Sequence, residues 1–283
     1  YKQSPMETID TLLGIANYLG LSNFEHELMS IRNRSLRDNA NLIVPLVGEF
    51  SSGKTTLINA LTDSKKLETA TKPTTATIYE VHFGCDRCHA TILNENDELV
   101  EVGDLSELKN DKLGNAQVVT VFDTSTRVPA STIIVDTPGL SSLDPKHKQT
   151  LANFLPKADC FLLVADINQQ ITNTLTEFIE TMKMSMRPIF LVLTKSDTKS
   201  PQDIETVKRD ITSNCKIPLK QTVVVSAKEN YLSELYALLD SINQGKKAII
   251  EQVDSQRLKS ITQTLTQHID ELLNASHSDK GME

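Results

Sequence analysis

A chain of 283 residues has room for one large domain with appendages. Its 39% hydrophobic and 23% charged residues exclude a disordered chain, and no run approaches the ~20 apolar residues of a membrane-spanning helix. The formal net charge of −8 argues against nucleic acid as a partner and against unassisted binding to anionic lipid. Four cysteines (Cys85, Cys88, Cys160, Cys215) are too few and too scattered for a disulfide scaffold, and no signal peptide follows Tyr1, so the expected setting is a reducing cytoplasm.

The first forty residues read as helix. Met6, Ile9, Leu12, Leu13, Ala16 and Leu19 recur at helical spacing. A second helix is announced by Ser22 and Glu25 as a capping box, with Phe24, Leu28, Met29, Ile31 and Leu36 as its apolar face. From residue 42 short apolar runs alternate with amphipathic stretches. Strands are expected at 42–47, 76–83, 131–136, 159–166, 188–194 and 222–227, and helices at 55–62, 173–184, 201–213 and 230–243. Buried runs joined by helices imply a mainly parallel sheet with helices on both faces, an α/β nucleotide-binding fold. Residues 89–102 read as a β-hairpin that extends one sheet edge. Beyond Gly245, Ile250, Val253, Leu258, Ile261, Leu265, Ile269 and Leu272 form one stripe, which an isolated helix cannot bury. Packing against the N-terminal helices would make a small bundle. The expected organisation is therefore 1–40 and 244–283 as bundle or neck helices, and 41–243 as the globular domain.

"GEFSSGKTT" (48–56) matches the phosphate-binding pattern Gly48-x4-Gly53-Lys54-Thr55, placed after a strand and before a helix. Backbone N–H groups over Gly48, Glu49, Ser51, Ser52, Gly53, Lys54, Thr55 and Thr56 would curl round phosphates at a helix N-terminus. Lys54 would reach the β- and γ-phosphates, and the Thr55 hydroxyl would bind Mg2+. "DTPG" (136–139) closes another strand. Asp136 would hold a water on Mg2+, and the Gly139 N–H would face the γ-phosphate. In "TKSD" (194–197), the Asp197 carboxylate can accept two hydrogen bonds from the guanine ring N–H and exocyclic amine, which adenine cannot offer. A buried group left unpaired by the wrong base rejects it by roughly 10⁴-fold. The Lys195 stem would lie over the base, capped by the backbone of Ser226, Ala227 and Lys228. Four such motifs in order at strand ends point to GTP as substrate and GDP as product.

"GEFSSGKTTLINAL", "KPTTATIYEV", "DTPGLSS", "ADCFLLVADINQQITNTLTEF" and "TKSD" together resemble the GTPase domain of the dynamin superfamily, and most closely its bacterial dynamin-like members. The resemblance covers about residues 41–243, and the flanking helices resemble that family's bundle or neck. It implies a Mg-dependent GTP hydrolase whose domains pair as a homodimer across the nucleotide and move a helical bundle. It also implies membrane remodelling in the full-length protein, with lipid met elsewhere than through this chain, and peripheral membrane association as the alternative to a purely cytoplasmic location. Thr75, 21 residues beyond Lys54, matches the switch threonine that closes over Mg2+ and orients the attacking water, with Thr74 as its substitute. Phe50 stands where dynamin has its water-positioning glutamine. Ser51 matches the serine that holds a monovalent cation, so K+ or Na+ near Ser51, together with Lys54 and Thr75, completes the expected catalytic set. The resemblance also implies a stalk and a membrane-contacting tip, for which some forty residues after the domain are too few.

Several features stand outside that scheme. "CDRCH" (85–89) matches a c-type haem attachment pattern, but a turn of the hairpin that happens to contain cysteines is the favoured reading, with a reversible Cys85–Cys88 disulfide the modest alternative. Cys160 reads as a small core residue. Lys146 and His147 fall in an expected solvated switch loop, and Arg127 and Arg187 are the arginines that could act across a dimer. A ribosome- or RNA-associated GTPase and a nucleotide-gated, non-catalytic scaffold are the competing functions.

Overall fold

The computed structural model describes residues 4–35, 40–67, 77–108 and 113–281. The chain divides into two compact units, one made of residues 1–40 and 250–283 and the other of residues 41–249. The elements of the larger unit, in chain order, are β1 (Leu42–Gly48), α3 (Lys54–Leu61), β2 (Ile78–His82), β3 (His89–Asn94), β4 (Leu99–Val102), β5 (Ala116–Phe122), β6 (Thr132–Asp136), α4 (Pro145–Phe154), β7 (Phe161–Asp166), α5 (Asn173–Met184), β8 (Ile189–Thr194), α6 (Pro201–Cys215), β9 (Thr222–Val224) and α7 (Ser233–Gln244).

The strands form one sheet in the order β4-β3-β5-β2-β6-β1-β7-β8-β9. From β6 through β9 every pairing is parallel, as near-continuous Val, Ile and Leu runs require when both faces are covered. The other half is turned over: β2 runs antiparallel to β6, and β3 antiparallel to β5 and β4. This is the expected α/β fold with an antiparallel flank. Strand β5 and helix α4 escaped the sequence reading. Residues 116–122 break strict alternation at Val118-Val119, while Asp144 and Pro145 open α4 as N-cap and first residue directly after the turn at 139–142. The 89–102 hairpin does extend the edge, as β3 and β4. Its neighbour in sequence, the Cys85–Cys88 segment, is not a hairpin turn, because β5 lies between β2 and β3 and the segment crosses over its end.

The central strand β1 contains Pro45, which has no N–H to donate. Its placement costs little here. On the β7 side, the fully buried Asp159 carboxylate accepts the Ile43 N–H at 2.7 Å, and β7 pairing begins only at Leu46. Pro45 therefore falls between a side-chain cap and the start of a ladder, where no donor is needed. Beneath one face, Val47, Phe161, Leu163, Leu175, Phe178, Leu191 and Leu193 belong to one buried cluster, with the Phe161 and Phe178 rings edge to face at 5.8 Å.

In the smaller unit, α1 (Pro5–Tyr18) and α2 (Ser22–Ser35) share a core with α8 (Lys246–Lys280). Ile9, Leu12, Ala16, Leu28 and Ile31 meet Leu258, Ile261 and Leu265 in one cluster, which is how the lone stripe of α8 is buried. Two details differ from expectation. The reciprocal capping box forms at Ser4 and Glu7, with both bonds at 3.2 Å, whereas Ser22 is already the first residue of α2. Met29 is 41% exposed and turns away from the core, since it follows Leu28 by one residue, or about 100° of helix; Leu36 lies outside the described residues, and Leu272 is about half exposed. Arg34, Arg257 and Asp254, each close to nine-tenths buried, form an ion cluster with Nε–Oδ2 at 3.5 Å and Nη1–Oδ1 at 3.8 Å, and Glu27 sits 3.6 Å from the Arg257 Nε.

Leu28→Ala is expected to cost ~2–5 kcal/mol in chemical denaturation, because it leaves a cavity among fully buried neighbours. The adjacent Met29→Ala should stay within about 0.5 kcal/mol of the parent; equal losses would mean that the helix faces are assigned wrongly.

Candidate functional site

The loop after β1 turns on Gly53, at φ +83°, directly before α3, and no side chain caps that helix. Its free N–H groups are therefore available to an anion. Gly48 cannot be anything larger: a Cβ there would stand 2.3 Å from the Val164 carbonyl oxygen and 2.9 Å from Ser52 Oγ. Ser52 Oγ is buried in this cradle and, among the described residues, has no hydrogen-bond partner. A closed loop with unspent donors around a buried hydroxyl is the donor set that phosphate oxygens satisfy.

Lys54, only 8% exposed, extends from the first turn of α3 to the Asp136 carboxylate and the Thr137 carbonyl. Thr55 Oγ1 donates to the other oxygen of Asp136 at 3.0 Å. Thr137 Oγ1 bonds the Leu46 carbonyl at 2.8 Å, pinning the end of β6 to β1. A hydroxyl and a carboxylate side by side are two hard oxygens, and Mg2+ characteristically takes few protein ligands and completes its octahedron with phosphate and water. The residues present fit that ion. A cavity of about 270 Å³ opens here, lined among others by Glu49, Phe50, Lys54, Thr55, Tyr79, Asp136, Gly139 and His147. Burial, with the Asp136 charge adding to it, pushes the Tyr79 hydroxyl well above its ordinary pKa.

The loop after β8 is fastened to the phosphate loop. Thr194 Oγ1 donates to the Ser52 carbonyl at 2.5 Å, and a Cβ on Gly53 would touch Thr194 Oγ1 at 3.5 Å. Lys195 takes a left-handed conformation, φ +61°, and its ammonium lies 2.8 Å from Asp166 at the end of β7. Burial works to raise the Asp166 pKa, but the Lys195 ammonium and the Asn168 donors outweigh it and hold the carboxyl below its usual value. Asp197 accepts a 2.7 Å hydrogen bond from Ser226 Oγ on one oxygen. Ser226 is itself held by paired backbone bonds with Tyr231, at 2.9 and 2.8 Å. Ala227 and Lys228 follow it in the same loop.

The structure thus gathers Gly48, Glu49, Ser51, Ser52, Gly53, Lys54, Thr55, Thr56, Asp136, Gly139, Lys195, Asp197 and Ser226 at the C-terminal ends of β1, β6 and β8 and in the loop after β9, the edge at which open α/β sheets bind ligands. Thr74 and Thr75 lie outside the described residues. Ser51 Oγ meets the Gln169 amide, and Phe50 is 71% exposed, its backbone packed against Gly139. Thr77 is a buried residue just ahead of β2, its hydroxyl on the Ala116 carbonyl at 3.0 Å.

Other expectations change. Lys146 and His147 are in helix α4, not in a solvated loop; Asp144 caps that helix, and His147 is 5% exposed. Arg127 pairs with Asp63 at 3.4 Å and lies 5.6 Å over the Tyr236 ring, and Arg187 donates to the Ala158 and Pro156 carbonyls at 2.7 and 3.0 Å, so both guanidiniums are engaged within their own domain. Cys85 and Cys88 are free thiols beyond the C-terminal end of β2. Because β2 opposes β6, with Tyr79 beside Asp136, that end lies at the far edge of the sheet from the cradle. Sequence reasoning gave no role to the side chains of Asp166 and Gln169, placed Glu49 in the phosphate loop only through its backbone, and put His147 in a loop.

Gly48→Ala should abolish binding of a fluorescent GTP analogue, because the added methyl group collides with the β7 backbone. Gly14→Ala, whose Cβ would meet nothing within 4 Å, should leave binding unchanged.

Comparison with known proteins agrees with this geometry. The model of the dynamin family matches residues 44–196. An uncharacterized protein in the xynA 3' region of Caldicellulosiruptor sp. (strain Rt8B.4) is 26% identical over 211 residues, covering 70% of this chain and 50% of that protein. Dynamin-like protein A of Bacillus subtilis (strain 168) is 22% identical over 245 residues, covering 79% of this chain and 20% of its own. The chain therefore spans half or less of the length of these relatives. Among solved structures, an oligomerised bacterial dynamin pair described as sensing and tethering membranes shares the fold, with a TM-score of 0.56 at 16% identity over 99% of this chain and 50% of that one. The family match runs through more than half of the residues, from the strand before the cradle to the start of the loop after β8, and on that ground the chain belongs to the dynamin family of GTPases.

Proposed function

We propose that this chain binds GTP with Mg2+ and hydrolyses it to GDP and phosphate, that two copies pair through their GTPase domains when GTP is bound, and that pairing moves the helical unit. The observation that carries the reading is the Thr194–Ser52 bond, which sets the base-reading loop against the phosphate loop so that one nucleotide can span both. Asp197, with one oxygen already taking the Ser226 hydroxyl, keeps acceptor capacity for the guanine N–H and amine. The Lys195 stem, tethered through its ammonium to Asp166, forms the platform for the base.

When bound, Mg2+ supplies positive charge that neutralises the phosphate oxygens. Thr55 would hold the ion directly and Asp136 through water, with Thr75 as the switch ligand. Lys54 would exchange the Asp136 carboxylate for the β- and γ-phosphates, a swap of one anion for another that costs little desolvation. Gly139 would present its N–H to the γ-phosphate. Water attacks the γ-phosphorus, the bond to the β-phosphate oxygen breaks, and GDP leaves. The α3 N-terminus, the cradle amides and Lys54 stabilise the charge as it develops, and a monovalent K+ or Na+ beside Ser51 would add to them. Phe50, exposed at the mouth of the cavity and without a hydrogen-bonding group, is an apolar surface for a second copy rather than a water-positioning residue. Membrane remodelling belongs to a full-length protein, with lipid met outside this chain. Among the described residues no helix is long and apolar enough to cross a membrane, and the formal net charge of −8 speaks against nucleic acid as a partner.

GTP turnover per molecule is expected to rise with protein concentration and to run faster in K+ than in Na+. Lys54→Ala should abolish turnover, and Phe50→Ala should shift the concentration dependence to higher protein. A finite rate independent of concentration would refute pairing; tight GTP binding without any turnover would refute hydrolysis.

A further inference from the structure

Three consecutive residues after Gly139 are each fastened to a different support. The Leu140 N–H bonds the Gly48 carbonyl at 3.1 Å. Ser141 Oγ donates to the Glu49 carboxylate at 2.8 Å, and the same Glu49 oxygen takes the Thr172 hydroxyl at 2.9 Å. Ser142 Oγ lies 2.6 Å from His147 Nδ1 and accepts the Asp144 N–H at 3.3 Å. His147 is 5% exposed, and its other nitrogen, Nε2, is buried without a hydrogen-bond partner among the described residues, with the Asp144 carboxylate 3.8 Å away. A buried imidazole with one nitrogen committed to a serine hydroxyl is an expensive arrangement for a helix that Asp144 already caps. Glu49 is equally uneconomical as a structural residue. It is a carboxylate set beside a phosphate cradle, where it repels the anion the cradle is built for, yet both of its hydroxyl contacts hold loops rather than the core.

We infer that Glu49 and His147 are positioning residues for hydrolysis: together they clasp Ser141 and Ser142, and through them fix the backbone of Gly139 against the phosphate cradle. The inference rests on the hydrolytic reading above and names what replaces a water-orienting side chain on a phosphate loop that carries Phe50. With Phe50 unable to hold water, orientation falls to main-chain groups alongside the switch threonine Thr75, and main-chain groups orient only if the loop bearing them is rigid. The clasp provides that rigidity from two independent directions, the phosphate loop through Glu49 and the first turn of α4 through His147. Thr172 ties the same carboxylate to the N-cap of α5, whose Leu175 N–H it accepts at 3.1 Å, so the clasp also joins the phosphate loop to the loop after β7. Misplacement of a reacting geometry by about 1 Å costs on the order of 100-fold in rate, whereas ground-state affinity is set by the many contacts of the cradle and the base. The two parameters should therefore separate.

The test is single-turnover GTP hydrolysis at saturating nucleotide, with Kd for a fluorescent GTP analogue measured on the same preparations. Wild type is compared with Glu49→Ala, Glu49→Gln, His147→Ala, His147→Asn and the pair Glu49→Ala/Ser141→Ala. Glu49→Ala and His147→Ala are expected to lower the rate about 10- to 100-fold with Kd within about threefold of wild type. Glu49→Gln and His147→Asn, which keep an acceptor at the hydroxyl, should recover at least about a third of the rate. Ser141→Ala added to Glu49→Ala should cost nothing more, because the two act as one unit. Rates within about threefold of wild type in both alanine variants, or losses that appear in Kd, or no rescue by the isosteres, overturn the clasp. Should His147→Ala fail to fold, the partly exposed Glu49 variants and their Ser141 cycle decide alone. A wild-type protein that hydrolyses nothing would instead defeat the hydrolytic reading, and it is distinguished by the wild-type rate itself.

Discussion

A buried ammonium must have anions around it, and the nucleotide-binding end of this domain is arranged by that requirement. Lys54 is brought inside by the first turn of α3, because the loop before it closes tightly on Gly48 and Gly53. Water is excluded from most of its side chain, so its charge is met by the Asp136 carboxylate and the Thr137 carbonyl, both at the end of the neighbouring strand β6. The uncapped N–H groups of α3 point the same way. The site thus joins the uncapped N-terminus of α3 to an ammonium that a carboxylate satisfies internally. The same acid that neutralises the lysine also takes the Thr55 hydroxyl on its other oxygen.

The loops that surround this point are not independent. Thr194 hangs from the phosphate loop by its hydroxyl, and that bond sets where Asp197 stands relative to the cradle. Lys195 is bent into a left-handed turn and drawn to Asp166, the last residue of the next strand. Glu49 reaches across to Ser141 and Thr172, and Leu140 returns a backbone bond to Gly48. A neutral hydrogen bond is worth about 1 kcal/mol net, and the bonds to the Glu49 and Asp166 carboxylates are charge-assisted, yet none rigidifies the site alone. Their effect comes from closing a circuit between the ends of four strands that the parallel sheet already holds at fixed spacing. The antiparallel flank, β2 to β5, contributes Tyr79 beside Asp136 and places the Cys85–Cys88 segment at the far edge of the sheet.

The helical unit follows a different logic. Its core is an apolar seam between α1, α2 and α8. The Arg34–Asp254–Arg257 cluster adds to it a set of buried charges in which each guanidinium faces the carboxylate. Residues beyond Leu265 on α8 carry no buried side chain in this unit.

Elements that depend on local chemistry can be read from neighbouring residues alone. The glycine-rich turn before a helix, the aspartates at strand ends and the apolar runs of a covered sheet are all set within a few neighbouring residues, and so the α/β fold and the gathering of Lys54, Asp136 and Asp197 were legible in advance. The bundle stripe was legible too, because one apolar face demands a partner. Other features depend on residues far apart in the chain. The order of the sheet puts β5 between β2 and β3, which no period-two pattern can announce. Ser4 rather than Ser22 forms the capping box, because helix boundaries shift with the packing that follows them. Met29 faces outward because a single step of the helix rotates it off the seam. No motif assigns a contact to the side chains of Glu49, Ser141, Thr172 and His147, and their meeting exists only once β1, β6 and β7 lie side by side and deliver their loops to the same end of the sheet.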